Sequence, residues 1–188
     1  MEVIEIIKSR RSIGLVEAKD IPDETIEILL DAATWAPNHK NTEPWKFRVV
    51  KGEARIKLGD KMAEITAKKY SHLSIDELNS KIEKSKNGPL RAPVIIVLAV
   101  SPSGKVPEIE EYVACGCAMQ NLLLTATEKG IATFVRTGDI AFEKELNQYL
   151  QLEETDTIVG LIYAGYPKTN TPITKKRIPA SQKTIWFK

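Results

Sequence analysis

The order of strand-like and helical segments predicts an α+β fold, with helices on both faces of a small central sheet. Two continuous apolar runs rich in β-branched residues, 93–100 and 157–166, are typical of central strands. Helical periodicity dominates much of the remaining chain, and the longest helical pattern runs from 108 to 129. Because the sequence has 188 residues and no internal repeat, we expect a single domain spanning 1–188.

Two helices are expected before the first strand. Apolar residues within 3–7 indicate a short amphipathic helix that ends in the basic run 8–11. Pro22 is expected at the first position of the second helix, with acidic residues following in its first turn. The apolar positions of this helix recur at helical spacing from Ile26 to Ala33.

The elements that follow alternate between strands and helices. The segment 45–51 is strand-like and stops at Gly52, and 53–86 predicts two charged helices that pack on one side only. The helix over 108–129 is apolar almost all round in its middle, which indicates burial under the sheet or in a subunit interface. The remaining elements are a short strand, a helix, a loop rich in Pro and Lys and a last short strand, at 131–135, 142–150, 169–182 and 184–187.

Charge and cysteine content exclude several classes of partner. The 27 basic and 25 acidic side chains nearly balance, so the charge predicts neither a nucleic-acid nor a membrane partner. The start of the chain is unlike a signal peptide, and no apolar run approaches the roughly 18 residues of a membrane span. Cys115 and Cys117 are too close in sequence for an ordinary disulfide. We therefore expect a cytoplasmic protein.

The loop 36–45 is the most informative stretch of the sequence. It reads Ala-Pro-Asn-His-Lys-Asn-Thr-Glu-Pro-Trp and lies between a helical and a strand-like segment. It is too polar to be buried, and its two prolines restrict it too much for a flexible linker. These properties predict a presented binding surface.

This loop resembles the A/S-P-x-x-x-N-x-Q-P-W loop of the nitroreductase family of flavin enzymes, with Glu43 replacing the usual Gln. The family also has an Arg-rich element near the amino terminus and a K-x-R-x-P element near the carboxyl terminus. Arg10-Arg11-Ser12 and Lys175-Lys176-Arg177-Ile178-Pro179 match these two elements in the expected order. The resemblance implies a mixed sheet and an intertwined homodimer, in which 167–188 forms an extension that reaches the partner subunit.

The resemblance also implies that the chain binds flavin mononucleotide (FMN). Arg10, Arg11 and Ser12 would contact the phosphate, the ribityl chain or the polar rim of the ring, and Lys175 and Arg177 would complete a phosphate clamp. Taken alone, the first group could merely complement a helix dipole, and the second could be a solubilising loop. The sequence has no G-x-G-x-x-G motif, which argues against a dinucleotide-binding domain.

Further flavin contacts are implied at two other places. His39 and Asn41 in the loop would reach the flavin of the other subunit, although such a His could simply be exposed. The element Val135-Arg136-Thr137, followed by Gly138, matches one that lies against the flavin in a subgroup of small nitroreductases. Arg136 is the candidate for the pyrimidine edge, where positive charge stabilises reduced flavin; an ordinary surface Arg is the alternative.

Three positions need a separate interpretation. Gly14 stands where many family members have Arg or Lys, so Arg136 or His39 would have to supply that charge. Trp35 stands where the small subgroup often has Arg, and its indole could cover the flavin or narrow the substrate pocket. The Cys-Gly-Cys stretch at 115–117 lacks the further ligands of a zinc site, so we interpret both thiols as core residues.

The implied function is an FMN-dependent oxidoreductase that takes hydride from NADH or NADPH. It would reduce nitroaromatic, quinone or related small-molecule acceptors by a ping-pong mechanism, with no catalytic side chain and no metal. Two alternatives remain open. One is a dedicated reductase of a single metabolite, for which 66–90 is the candidate substrate lid. The other is a protein that stores or senses FMN without turnover.

Overall fold

The computed structural model describes residues 2–169 and 176–188. The helices are α1 (Val3–Ser9), α2 (Asp23–Thr34), α3 (Ala54–Lys69), α4 (Ile75–Asn87), α5 (Glu108–Glu128) and α6 (Lys144–Tyr149). The strands are β1 (Trp45–Lys51), β2 (Val94–Val100), β3 (Ala132–Arg136) and β4 (Thr157–Gly165). Short 3-10 turns occupy His39–Asn41, Gly88–Arg91, Asp139–Phe142 and Ala180–Lys183.

The predicted α+β class is confirmed. In the described part of the chain, four strands form one sheet in the order β1-β2-β4-β3. All three strand pairings are antiparallel. The mixed character that the resemblance implied is limited to one isolated parallel bridge, between Ser12 and Thr133. This bridge adds the segment after α1 to the outer edge of β3.

The two inner strands divide the core into two layers. Every residue of β2 is buried, as its continuous apolar run predicted. Ile96 and Leu98 pack in one layer with residues of α2 and α5, whereas Ile95 and Val97 pack in the other with residues of α3 and α6. Helices therefore cover both faces of the sheet, as expected. Alternate side chains of a strand point to opposite faces, which explains the division.

Two glycines lie where neighbouring segments of the chain approach each other closely. A Cβ at Gly59 would lie 2.2 Å from the carbonyl oxygen of Lys86, so α3 and α4 pack closely at this point. A Cβ at Gly165 would lie 2.8 Å from Val16 and 2.9 Å from Pro93. The chain after Ser12 can therefore cross the end of β4 only because this position carries no side chain.

Several predicted boundaries need correction. The helix expected over 142–150 begins at Lys144, because the preceding residues form a 3-10 turn. Pro22 caps α2 and precedes its first helical residue. The strand expected over 184–187 is not formed in this chain, and its side chains are exposed. A strand needs a neighbouring strand for its backbone hydrogen bonds, and this chain offers none to that segment.

Within residues 2–169 and 176–188, no helix combines the length and the apolar character that a membrane crossing requires.

Candidate functional site

The amino-terminal motif lies along the outer edge of β3. The backbone amide of Ile13 donates to the Thr133 carbonyl oxygen at 2.9 Å, next to the Ser12–Thr133 bridge. Farther along, the amide of Glu17 donates to the Tyr166 carbonyl oxygen at 2.8 Å. These contacts bring the motif beside the strand that ends at Arg136. Two of the predicted flavin-binding groups therefore share one edge of the sheet.

The first group surrounds the end of α1. Arg10 caps the helix and is half-buried, whereas Ser12 is exposed. Nη1 of Arg11 donates to the carbonyl oxygens of Lys8 at 2.5 Å and Arg10 at 2.8 Å. Part of the Arg11 guanidinium therefore holds the end of the helix.

Two small cavities adjoin at the end of β3, and we call them together the β3 cleft. One has a volume of about 110 Å³ and the other about 180 Å³, and both are lined by Arg136 and Tyr163. The smaller cavity is also lined by Gly14, Arg91 and Phe134. The larger cavity is further lined by Met62, Lys84, Ser85, Gly88, Thr137, Gly138, Asp139, Ile140, Ala141 and Leu161.

Arg136 is held at the floor of the β3 cleft by an aromatic ring. Its guanidinium carbon lies 5.6 Å from the centre of the Tyr163 ring, within the range of a cation–π contact. Burial raises the pKa of the Tyr163 phenol, and the nearby charges of Arg136 and Arg91 oppose only part of that rise. The phenol therefore remains neutral at physiological pH, and the cleft keeps its positive charge.

The expected lid borders this cleft. Lys84, Ser85 and Gly88 line its larger cavity and belong to the end of α4 and the turn that follows. The Tyr70 hydroxyl donates to Asp139 Oδ2 at 2.5 Å, and this bond lowers the pKa of the carboxyl group. A second contact joins the Lys69 ammonium to the Glu143 carboxylate. The end of α3 is thus tied to the loop after β3.

The loop 36–45 has a strained but well-braced backbone. Lys40, Asn41 and Glu43 have φ values of 53°, 50° and 44°, in a region that costs non-glycine residues energy. Asn38 braces the loop, because its Oδ1 accepts from the Glu43 amide at 3.0 Å and its Nδ2 donates to the Ala36 carbonyl oxygen at 3.3 Å. Such strain is typical of binding loops.

His39 lies against the start of α5. Its Nδ1 contacts the carboxylate of Glu110, and both side chains are about half exposed. A shallow groove of about 380 Å³ lies between this part of the loop and the exposed side of α5, which includes Val113 and Cys117. The Glu110 contact orients the imidazole ring and fixes which of its nitrogens faces outward.

Trp35 occupies a third location. It follows the last residue of α2, is 80% exposed and borders an apolar groove of about 510 Å³ between α1, α2 and α5. The loop after Trp35 enters β1, and β1 and β3 are opposite edges of the sheet. Three strand spacings separate these edges, about 14 Å. Within one chain, His39 and Asn41 therefore lie apart from the β3 cleft.

The carboxyl-terminal group is only partly described. Arg177 is exposed in the segment before the Ala180–Lys183 turn. Lys175 lies outside the described residues.

The two cysteines of α5 differ in burial. Cys117 is half-buried, whereas Cys115 is buried. Burial, with a smaller contribution from Glu111, raises the pKa of Cys115 to about 12.

Three residues at these places had not been singled out in the sequence. Asn38 had a usable signal, since Asn between Pro and a polar run often braces a turn through its side chain. Arg91 is a basic residue a few positions before the fully buried strand β2, which places it near the end of the sheet. Tyr163 places a phenol hydroxyl within an apolar central strand, and a buried hydroxyl of this kind usually has a hydrogen-bonding partner.

The fold and the β3 cleft define an α+β protein with two arginines at one end of a sheet. The model described as "Nitroreductase family" matches residues 7–166. The chain belongs to the nitroreductase family. This confirms the family resemblance stated from the sequence motifs.

Individual relatives extend over nearly the whole chain. YfhC from Bacillus subtilis, provisionally named an NAD(P)H nitroreductase, is 32% identical over 93% of this chain and 89% of its own length. The structure of a nitroreductase-like family protein from Bacillus cereus has a TM-score of 0.86 at 28% identity, covering 100% of this chain and 96% of its own. The FMN-dependent nitroreductase NfnB from Mycobacterium smegmatis, solved with NADPH, has a TM-score of 0.78 at 20% identity, with 99% and 98% covered.

Proposed function

We propose that the protein is an FMN-dependent oxidoreductase that takes hydride from NADH or NADPH and reduces nitroaromatic, quinone or related small acceptors. The observation that carries this proposal is the placement of the Arg10–Ser12 motif along the outer edge of β3, where Ser12 forms a bridge with Thr133. The proposed phosphate-binding motif and Arg136 therefore belong to the same edge of the sheet in a chain of the nitroreductase family, which supports the proposal. YfhC is named for NAD(P)H, and NfnB is described as FMN-dependent.

The chemistry of the donor groups fits FMN. Guanidinium groups donate paired hydrogen bonds to phosphate oxygens, and Arg10 is half-buried at the end of α1. Arg11, Ser12, Lys175 and Arg177 would complete this end. At the ring end, Val135 and Thr137 flank Arg136, and small residues leave room for a flat group: a Cβ at Gly138 would meet no atom within 4 Å.

When bound, FMN supplies the two-electron chemistry, and the chain supplies binding and orientation. Arg10 and Arg177 would fix the phosphate. The β3 end would hold one side of the ring. The sequence has no G-x-G-x-x-G motif that would indicate a separate nicotinamide-binding domain, which favours one shared site for donor and acceptor. A shared site is the physical basis of the ping-pong proposal.

A second copy of the chain would complete the site. His39, Asn41 and Trp35 lie away from the β3 cleft of their own chain, so they could contact a flavin there only from a partner subunit. Exposed apolar side chains on α1, α5 and the end of the chain provide surface for such pairing. We therefore propose a cytoplasmic homodimer in which 167–188 reaches across the partner.

A dedicated reductase of one metabolite is the second candidate. The bond from Tyr70 to Asp139 and the contact of Lys69 with Glu143 hold the α3–α4 hairpin beside the cleft. A fixed wall of this kind favours a narrower range of acceptors. Turnover with a panel of nitroaromatic, quinone and flavin acceptors separates the two candidates, since the dedicated enzyme would use one class far better than the rest.

The central proposal is tested on the purified protein. Its absorption spectrum should show bound flavin, and the chromophore released by heat should co-migrate with FMN and not with FAD. Under argon, NADH or NADPH should bleach the flavin absorbance, and a nitroaromatic acceptor should restore it. Bound flavin that neither nicotinamide bleaches would indicate a storage protein, whereas FAD or no flavin after reconstitution would refute the proposal.

A further inference from the structure

Two arginines from distant parts of the sequence meet at the smaller cavity of the β3 cleft. Arg91 ends the Gly88–Arg91 turn just before β2, and Arg136 ends β3. Both line the cavity of about 110 Å³ together with Gly14, Phe134 and Tyr163. Among the described residues, neither arginine forms an ion pair with a carboxylate.

The nearest acidic groups do not neutralise this cavity. Asp139 lines only the adjoining cavity, and its carboxylate accepts from the Tyr70 hydroxyl. Glu17 shares a separate surface pocket with Arg91, but the ion pairs of the described residues do not include this pair. Two like charges that share a small cavity repel each other, so a ligand with negative charge or electron-rich oxygens would relieve this repulsion.

The walls of the cavity strengthen the effect of the two charges. Tyr163 is buried, whereas Phe134 and Arg91 are exposed, so the cavity has an apolar wall on one side and opens to solvent on the other. Arg136 is oriented by its contact with the Tyr163 ring at 5.6 Å. A flat ligand that covers this cavity would exclude water from it, and the attraction between its hydrogen-bond acceptors and the two guanidinium groups would then be less screened.

Gly14 explains why the cavity is open. A Cβ at this position would lie 3.6 Å from the Phe134 ring, which is an ordinary contact. The glycine is thus not required by packing, and the absence of a side chain leaves the space free. The volume suits the edge of a planar ring or a carboxylate, but not a whole three-ring flavin.

We propose that Arg91 is the partner of Arg136 in an anion-stabilising pocket that holds the electron-rich carbonyl edge of the FMN ring. This inference rests on the proposed function and adds a residue to it. Negative charge develops at that edge when the flavin is reduced, so the two arginines stabilise the reduced form more than the oxidised form. Arg91 thereby raises the reduction potential of the bound flavin.

The test is the midpoint potential of the bound flavin, measured by anaerobic equilibration with reference dyes. In Arg91→Gln, we expect the reduced cofactor to bind about tenfold less tightly relative to the oxidised one. For a two-electron couple this corresponds to a potential about 30 mV more negative. Arg136→Gln should shift the potential in the same direction. Arg91→Lys keeps a positive charge and should retain most of the wild-type potential.

Two further variants sharpen the test. Lys168→Gln is the matched control, since Lys168 shares the neighbouring surface pocket with Arg91 but does not line the smaller cavity. It should leave the potential unchanged. Gly14→Lys places a cation at the cavity edge, so it should restore the potential when combined with Arg91→Gln. Retention of bound FMN by Arg91→Gln shows that the single variant is folded, and rescue by the double variant shows that the missing charge causes the shift.

The outcomes separate this inference from the proposed function. If the wild-type protein binds FMN and is reduced by NAD(P)H, but Arg91→Gln leaves the potential unchanged, Arg91 does not serve the flavin. If Arg91→Gln instead selectively loses turnover of 4-nitrobenzoate relative to its methyl ester, the pocket holds an acceptor carboxylate and the inference is wrong. Failure of the wild-type protein to bind FMN would overturn the proposed function itself.

Discussion

The hydrogen bond from the Ile13 amide to the Thr133 carbonyl oxygen, 2.9 Å long, joins the amino-terminal motif to the strand that carries Arg136. More than a hundred residues separate the two groups in sequence, yet one backbone contact sets their spacing. A backbone contact does not depend on which side chains occupy the edge. The arrangement can therefore hold different binding residues on the same frame.

Losing either end of the proposed phosphate clamp should weaken FMN binding. Arg10→Ala and Arg177→Ala each remove a charge-assisted contact worth about 1.5–3 kcal/mol, so the Kd for FMN should rise about tenfold or more. Both side chains lie outside the buried core, so unfolding in excess flavin should change little. Lys183→Ala, an exposed basic residue in the same terminal segment, is the control. A flavin-fluorescence titration in which both variants match wild type would show that the clamp is misassigned.

Two acidic substitutions on the outer face of α5 should dissociate the proposed dimer. Ile109 and Val113 lie one helical turn apart and are 69% and 61% exposed. Ile109→Glu combined with Val113→Glu should give a monomer that has lost FMN, because burying two carboxylates in an interface is costly. Ile75→Glu is the matched control, as Ile75 is 77% exposed on α4. Sedimentation velocity measures the oligomeric state of each protein. A wild-type monomer with bound FMN would contradict the shared site.

The ion pair between half-buried Lys46 and buried Asp156 should make the stability of the fold depend on pH in the acid range. Burial works to raise the pKa of Asp156, but hydrogen bonds from Lys46 Nζ and the Glu153 amide, each 2.9 Å long, outweigh it and hold the pKa below its usual range. The lowered pKa adds stability that is present above about pH 3.9 and is lost as the pH falls through the folded-state value.

Asp156→Asn should therefore lower the free energy of unfolding at pH 7 by about 3 kcal/mol or more, because Lys46 loses its buried partner. The difference from wild type should shrink as the pH falls below about 4. Urea titrations at pH 7, 4 and 3 measure it. Asp139→Asn is the control, since solvent screens that exposed carboxylate and it should contribute little to stability. A constant difference at all three pH values would exclude the ionised carboxylate as the cause.

Much of the frame could be predicted from local pattern. The bounds of β1 match the predicted segment, and those of β2 and α5 differ from it by one residue at one end. These elements have strong signals, namely a turn glycine, a continuous β-branched run and a long apolar helix. The last predicted strand, 184–187, has a suitable apolar pattern, but a strand also needs a partner edge that a single chain does not provide.

The site was less predictable for a physical reason. Motifs show which residues bind a ligand of the family, but not which other side chains the fold brings beside them. Arg91 and Tyr163 meet Arg136 only because β2, β4 and β3 are neighbours, and the sequence alone did not fix the strand order. His39 and Trp35 could be chosen from their motif positions, yet their distance from the β3 cleft depends on the whole sheet.

Steady-state kinetics should be ping-pong. One exposed flavin face would serve both the donor and the acceptor, so NAD(P)⁺ must leave before the acceptor can stack in its place. Varying NADH or NADPH at several fixed acceptor concentrations should give parallel double-reciprocal lines. Intersecting lines would mean that both substrates bind together, which favours the dedicated enzyme with two separate sites.

Trp35→Ala should change the choice of acceptor more than the rate at which the donor reduces the flavin. The indole is 80% exposed in its own chain, which leaves it free to contact a site completed by a partner subunit. A shared pocket covered by an indole should select acceptors by size and ring stacking. The removal of the ring should therefore raise kcat/KM for bulky acceptors relative to small ones.

Stopped-flow kinetics separates the two half-reactions of this variant. The rate of flavin bleaching by NAD(P)H should stay near that of wild type, while the rate of reoxidation should vary with acceptor size. Ile28→Ala is the matched control, because Ile28 is an exposed apolar residue of the same helix and does not border the groove beside Trp35. A response confined to the donor half-reaction would place Trp35 on the nicotinamide route. No response in either half-reaction would place it outside the pocket, and its assignment as a flavin-site residue would be wrong.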